Sequence, residues 1–221
     1  MHRIAPCAPY LPRRASDTNK YDYGRVLIVG GCIGYTGAPT LCARAALRCG
    51  AGLVSVGVPE AIYAVTAVKN DEAMPFPLPS AEGKLARDAL PVLLERLEKS
   101  DVCVLGPGLG RNDTLTALVQ AVVMQSGTPL VLDADALFAV AQDAAVLRVG
   151  NPGMAKGGSG DVLAGMLGAL LCQMPARDAV QTAVWLHGRA GDLCAGRMGE
   201  YAMNPTDVIA ALPEVTKPII R

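Results

Sequence analysis

Apolar and polar positions in this chain switch between two periods, and the switches mark the elements. Arg25-Val26-Leu27-Ile28-Val29 is a short apolar run ending in Gly30-Gly31. A run of that length closed by a glycine turn predicts a buried strand. Over 38–49 the apolar residues recur at helical spacing and stop at Gly50, a residue suited to a helix C-terminus. Residues 53–58 predict a second strand. Strand, helix and strand within about 35 residues make a βαβ unit, which favours a parallel sheet.

The rhythm then repeats. An amphipathic stretch over 84–99 predicts a helix, and 101–105 predicts a strand that ends in Gly106-Pro107-Gly108-Leu109-Gly110. A helix is expected over 114–125, then a strand over 130–132 ending at Asp133-Ala134-Asp135, then a helix over 136–147. Residues 161–173 place Val162, Leu163, Met166, Leu167 and Leu170 on one side of a helix. A long helix over 176–197 carries Trp185, and a short one over 206–212 starts near Asn204 or Thr206, both suited to its cap. Residues 1–24 are polar and proline-bearing, an arm ahead of a single domain over 25–221. The alternation predicts a three-layer αβα domain with a mostly parallel, doubly wound sheet. Ligands in such sheets sit beyond the carboxyl ends of the strands, so the three strand-end turns should open on one edge.

Composition narrows the partners. The 221 residues are 51% hydrophobic and 18% charged, a globular balance. Lys plus Arg and Asp plus Glu both total 20, so the net charge is zero and a nucleic-acid partner is not expected. Seven cysteines form no Cys-x-x-Cys pair, and His2 and His187 are the only histidines, which leaves a Cys/His zinc site poorly supplied. An odd count in apolar segments reads as reduced core thiols in a cytoplasmic protein. The N-terminus has no apolar signal region, and the longest apolar run, 162–172, is too short to span a membrane.

Asn151-Pro152-Gly153-Met154-Ala155-Lys156-Gly157-Gly158-Ser159-Gly160-Asp161 carries the strongest chemical signal. Glycines let the backbone turn tightly with its N–H groups pointing inward, and the following helix adds free amides and its positive dipole end. Together these suit a phosphate. Gly157, Gly158, Ser159 and Gly160 are the candidate nucleotide contacts, with Lys156 as a phosphate partner or a solvated side chain. Asp161, in the first turn, is placed to take a proton from a hydroxyl that attacks phosphorus. Helix capping alone would account for Ser159 and Asp161 but not for three glycines in four residues.

The other turns are less specific. Gly30 to Gly37 lacks the full spacing and downstream acid of a dinucleotide fingerprint. Dense glycine over 106–110 suits close approach by a ligand. Asp133 and Asp135 flank a strand end, where metal-phosphate contact and helix capping are both open. His187 is expected to be a core or interhelical hydrogen-bonding group, not a base, and Cys32 an unreactive thiol.

Several stretches together resemble the nucleotide-dependent NAD(P)H-hydrate dehydratases of the ribokinase-like superfamily. They are Tyr23 to Gly31, Ala45 to Val54, Gly106 to Gly110, Leu132 to Leu137, Asn151 to Asp161 and Trp185 to Asp192, in family order from about Asp17 to Pro213. The resemblance implies a ribokinase-like fold and a repair reaction on hydrated NADH or NADPH. ADP or ATP would phosphorylate the ring hydroxyl, and elimination would restore the double bond. It implies Asp161 as the base, Gly160 as a nucleotide-phosphate contact, and Ala38, Gly108 and Asp161 as contacts to the hydrated nicotinamide nucleotide. Mg²⁺ is implied by the phosphoryl chemistry, with no ligand readable. A homo-oligomer, by preference a tetramer, is implied as well. The chain departs from the family between Leu137 and Asn151, where members carry further strands. A family segment is missing near 148–150, as a deletion or as a stretch absent from this sequence. A ribokinase-like small-molecule kinase and a catalytically inactive nucleotide-binding protein are the alternatives.

Overall fold

A computed structural model describes residues 11–136 and 150–217. Seven strands are present among them: β1 (Arg25–Val29), β2 (Leu53–Pro59), β3 (Met74–Leu78), β4 (Ser80–Ala81), β5 (Lys84–Leu85), β6 (Val102–Leu105) and β7 (Leu130–Leu132). The α-helices are α1 (Gly37–Arg48), α2 (Tyr63–Lys69), α3 (Ala89–Glu98), α4 (Asp113–Gln125), α5 (Ser159–Leu171), α6 (Ala176–Met198) and α7 (Pro205–Thr216). Five strands form one parallel sheet in the order β3-β2-β1-β6-β7, and β4 and β5 make a separate antiparallel hairpin.

Period-two alternation within the apolar strands builds the two faces. Val26 and Ile28 of β1 enter a core with Val54, Val56 and Val104, covered by α1, α5, α6 and α7. Leu27 and Val29 enter the other core, with Leu93 and Leu97 of α3 and Leu115, Leu118 and Val122 of α4. These are the three αβα layers expected from the sequence. Gly165 lets α5 approach α1 closely, since a β-carbon there would overlap the Cys42 carbonyl. The described part of the lead-in lies on the domain. The Arg14 guanidinium donates to the Gly50 carbonyl (2.6 Å) and stacks over Tyr23.

Two regions differ from expectation. The helix expected from Lys84 begins only at Ala89, and Lys84 and Leu85 belong to β5. Glu82 (φ 51°) and Gly83 (φ 75°) turn the chain there, and Leu85 is buried in the core with Leu27, Val29 and Leu93. The second region, α2 and β3, carries no strong local period. β3 reads Met74-Pro75-Phe76-Pro77-Leu78 and pairs only with β2, at the sheet's end, where prolines need not donate to a neighbour. The last helix is longer than expected, and Asn204 with Asp207 forms a reciprocal capping box at its start. The helix expected over 136–147 lies almost wholly outside the described residues, as do the expected junction near Arg148 and the first part of the arm.

Candidate active site

The order of strands reverses at β1. β2 and β3 continue to one side of it, β6 and β7 to the other. The crevice beyond the carboxyl ends of β1 and β6 is therefore where such a sheet holds ligands. The loops after these two strands are tied together. The Gly31 amide donates to the Pro107 carbonyl (2.8 Å), and the Gly106 amide to the Val29 carbonyl (3.0 Å). α1 opens on this rim. A β-carbon on Gly108 would come within 2.9 Å of the Ala38 β-carbon, so these two residues, both named by the family resemblance, are neighbours.

The phosphate-loop candidate closes the crevice from the other side. One turn along α1 from Ala38, Leu41 packs against Gly158. Gly158 takes the left-handed conformation (φ 97°) at the N-cap of α5 and brings no side chain to cap it. The Ser159 amide donates to the Lys156 carbonyl (3.2 Å). Beyond that point the ground is open. Among the described residues nothing lies within 4 Å of where a Gly157 side chain would stand, and a β-carbon at Gly160 would meet only Asp133 Oδ1, at 3.9 Å. Open space over uncapped helix amides suits an anion.

Asp161 sits in the first turn of α5, half-buried. Burial, and then the negative charges of Asp133 and Asp135, push its carboxyl up to about 6. Such a group is still ionised at neutral pH, and it accepts a proton more readily than an ordinary aspartate.

Asp133 and Asp135, equivalent in the sequence, have different roles. Asp135 accepts from the Gly110 amide (2.9 Å) and pairs with Arg111 (2.7 Å), so it organises the β6 loop. Asp133 is raised by burial, with the Ala134 amide opposing and Asp135 adding to the rise. Its Oδ2 is buried without a hydrogen-bond partner among the described residues, while Oδ1 faces Gly160. No group of three His, Cys, Asp or Glu side chains among the described residues could hold a metal. Mg²⁺ needs less when it arrives with phosphates, because one or two carboxylates and waters complete its shell. The orphaned Asp133 oxygen fits that requirement.

The remaining candidates are placed as follows. Ser159 Oγ lies 3.4 Å from His187 Nε2. His187 is buried, and burial holds its imidazole below the usual range against an opposing Ser159 backbone contact. It is the interhelical hydrogen-bonding group that the sequence led us to expect. Lys156 Nζ donates to the carbonyls of Tyr201 (2.8 Å) and Met203 (2.6 Å). Cys32 is buried, and burial raises its thiol, with Lys84 opposing and Asp135 reinforcing, which disfavours the thiolate. Two lysines at the rim were not picked from the sequence. Lys69 donates to Thr36 Oγ1 (2.9 Å) and Lys84 to the Arg111 carbonyl (3.2 Å). They come from α2 and β5, elements with no clear local signal.

Residues 26–148 and 141–214 match the family model described as NAD(P)H-hydrate dehydratase, in two blocks that meet at 141–148. The chain is 36% identical over 278 aligned positions to the bifunctional NAD(P)H-hydrate repair enzyme Nnr of Moorella thermoacetica, covering 96% of this chain and 52% of that protein. The enzyme of the same name from Coxiella burnetii is 30% identical over 272 positions, covering 95% and 54%. The chain thus spans about half the length of these relatives. The first alignment exceeds the chain by at least 57 positions (278 − 221), so that relative carries residues inside the aligned stretch with no counterpart here. Among solved structures, a ribokinase-like superfamily protein of Enterococcus faecalis superposes with a TM-score of 0.80 at 25% identity, covering 96% of this chain and 93% of that one. The ADP/ATP-dependent NAD(P)H-hydrate dehydratase of Bacillus subtilis, co-crystallised with ATP and Mg²⁺, superposes with a TM-score of 0.76 at 21% identity over 95% of each chain, a likeness of fold. The sheet order, the crevice at its reversal and the family match over most of the length agree: this chain belongs to the NAD(P)H-hydrate dehydratase family.

Proposed function

We propose that this chain carries out the nucleotide-dependent dehydration of hydrated NADH and NADPH. The observation that carries the reading is Asp161, a carboxylate raised to about 6 by burial and by Asp133 and Asp135, in the first turn of a helix whose start lies beside open space. Gly157, Gly158, Ser159 and Gly160 hold the phosphates of ADP or ATP, through backbone amides except at Ser159, whose amide is bonded to the Lys156 carbonyl. Ala38 and Gly108 line the hydrated nicotinamide. Asp161 takes the proton of the ring hydroxyl as that oxygen attacks the terminal phosphorus and the nucleotide leaves one phosphoryl group shorter. Phosphate then leaves with the C–O electron pair, the neighbouring carbon gives its proton to that phosphate or to water, and the C–H electron pair becomes the ring double bond. Mg²⁺, held by Asp133 and the phosphates, would neutralise charge on the transferred group.

The family segment absent near 148–150 also belongs to this reading. Its support is the two-block family match and the surplus of aligned positions. The same observation favours a second reading, a nucleotide-binding protein without turnover. A cytoplasmic homo-oligomer, by preference a tetramer, is proposed on family likeness, and sedimentation equilibrium tests the assembly.

The test incubates the chain with hydrated NADH, Mg²⁺ and ADP or ATP. Recovery of the reduced-nicotinamide absorbance is the expected result. Nucleotide binding without recovery would favour the second reading. Phosphorylation of a sugar panel without recovery would point to a kinase.

A further inference from the structure

Lys156 is the one cation in the phosphate loop, yet its ammonium is turned away from the open ground over α5. Nζ donates to the carbonyls of Tyr201 and Met203, 2.8 and 2.6 Å away. The backbone of the same residue is engaged on both sides. Its amide donates to the Met154 carbonyl (2.8 Å), and its carbonyl accepts from the Ser159 amide at the start of α5. Lys156 therefore joins three pieces: the turn over 152–154, the first turn of α5 and the segment leading into α7.

Two further contacts follow the same seam. A β-carbon on Gly153 would strike Met203 Sδ (2.5 Å) and the Glu200 carbonyl (2.7 Å), and one on Gly158 would approach Pro205 (3.2 Å). The lead-in is itself anchored, because the Asn204 amide donates to Asp207 Oδ2 (2.8 Å) in the capping box of α7. A cation shared by two carbonyls resists opening more than a neutral hydrogen bond does. A lysine waiting for phosphate would leave those carbonyls to water.

We propose that Lys156 is a positioning residue that clamps the phosphate loop to the lead-in of α7, thereby fixing the amides over 157–161 for the nucleotide phosphates. This rests on the reading that the loop binds nucleotide phosphate.

The test compares Lys156→Met and Lys156→Arg in the full chain, by amide hydrogen exchange of the free protein and by calorimetric titration with ADP, ATP and inorganic pyrophosphate at low and high salt. The clamp predicts faster exchange over 157–161 in Lys156→Met and recovery in Lys156→Arg. It also predicts a loss of affinity of about tenfold, alike for all three ligands and at both salt levels. A loss that grows from ADP to ATP and shrinks at high salt, with exchange unchanged, would make Lys156 a direct phosphate ligand and overturn the clamp. Unchanged exchange together with unchanged affinity would also overturn it. If the unaltered chain binds none of the three ligands, the phosphate reading fails. The exchange arm then still decides whether the clamp exists.

Discussion

Glycine does opposite work in the two halves of the crevice. In the loops after β1 and β6 it permits contact. A β-carbon at Gly30 would overlap the Pro107 carbonyl, and one at Gly106 (φ 129°) would overlap the Asp133 carbonyl. In the phosphate loop Gly157 and Gly160 leave room, with open space at Gly157 and Asp133 Oδ1 near Gly160 among the described residues, while Gly158 between them packs on Leu41 and Pro205. Gly30 and Gly106 close backbone on backbone, and Gly157 and Gly160 keep space for a ligand. The same letter in the sequence therefore reports packing in one place and chemistry in the other. Only the neighbours in space tell them apart.

Four expected outcomes would break or sharpen that contrast. The largest concerns the acid on the open side. Asp161→Asn should lower turnover by about 10²- to 10⁴-fold while leaving ADP affinity nearly unchanged. Turnover that survives, or binding that collapses in a folded protein, would remove Asp161 as the base. Next comes a matched glycine pair. Gly106→Ala should destabilise the domain by about 3 kcal/mol, because it adds a clash to an unfavourable φ. Gly160→Ala should leave urea unfolding unchanged or slightly improved, since alanine suits a helix better, yet weaken ADP binding about tenfold. Equal destabilisation by both would erase the distinction.

The third outcome is a pH profile. Plotted as kcat/KM, activity should fall on the acid side with an apparent pKa of about 6, not near the ordinary aspartate value of 3.8. The smallest effect is on stability. The Asp161 carboxyl is raised in the folded state, so the native protein holds its proton longer than the unfolded chain does. Stability should therefore decline as pH rises from about 3.8 through about 6. Asp161→Asn lacks that decline. Its Tm should exceed that of the unaltered chain by about 2–4 °C at pH 8, a modest gain because the group is partly exposed, and match it below pH 3.8. A lower Tm at pH 8 would mean the carboxylate is stabilised by contacts, not penalised by burial.

Much of this was legible in the chain. The apolar runs of β1, β2, β6 and β7 and the helical spacing of α1, α4, α5 and α6 were found within one or two residues. Strong periodicity over buried elements is local information. Over 60–83 the sequence predicts no element, and 84–88 was misread as helix, because the order there is not local. β3 is built with two prolines that only an edge position tolerates, and Lys84 and Leu85 follow a hairpin turn in place of the helical period they fit. The start of α5 was legible because glycines ahead of an apolar helical period mark a helix start, although the helix begins at Ser159 and so contains Gly160.

By itself the sequence determined the layer architecture, the edge of the sheet that holds the loops, and the carboxylate at the head of α5. Side-chain period and glycine spacing are properties of neighbouring residues, and those the chain states directly. Only the tertiary structure decided that Asp135 braces a loop while Asp133 keeps an oxygen unpartnered among the described residues, that Lys156 reaches the carbonyls of Tyr201 and Met203, and that Ala38 meets Gly108. Those outcomes depend on burial and on partners 25 to 70 positions away, fixed only once the sheet has brought its loops to one edge.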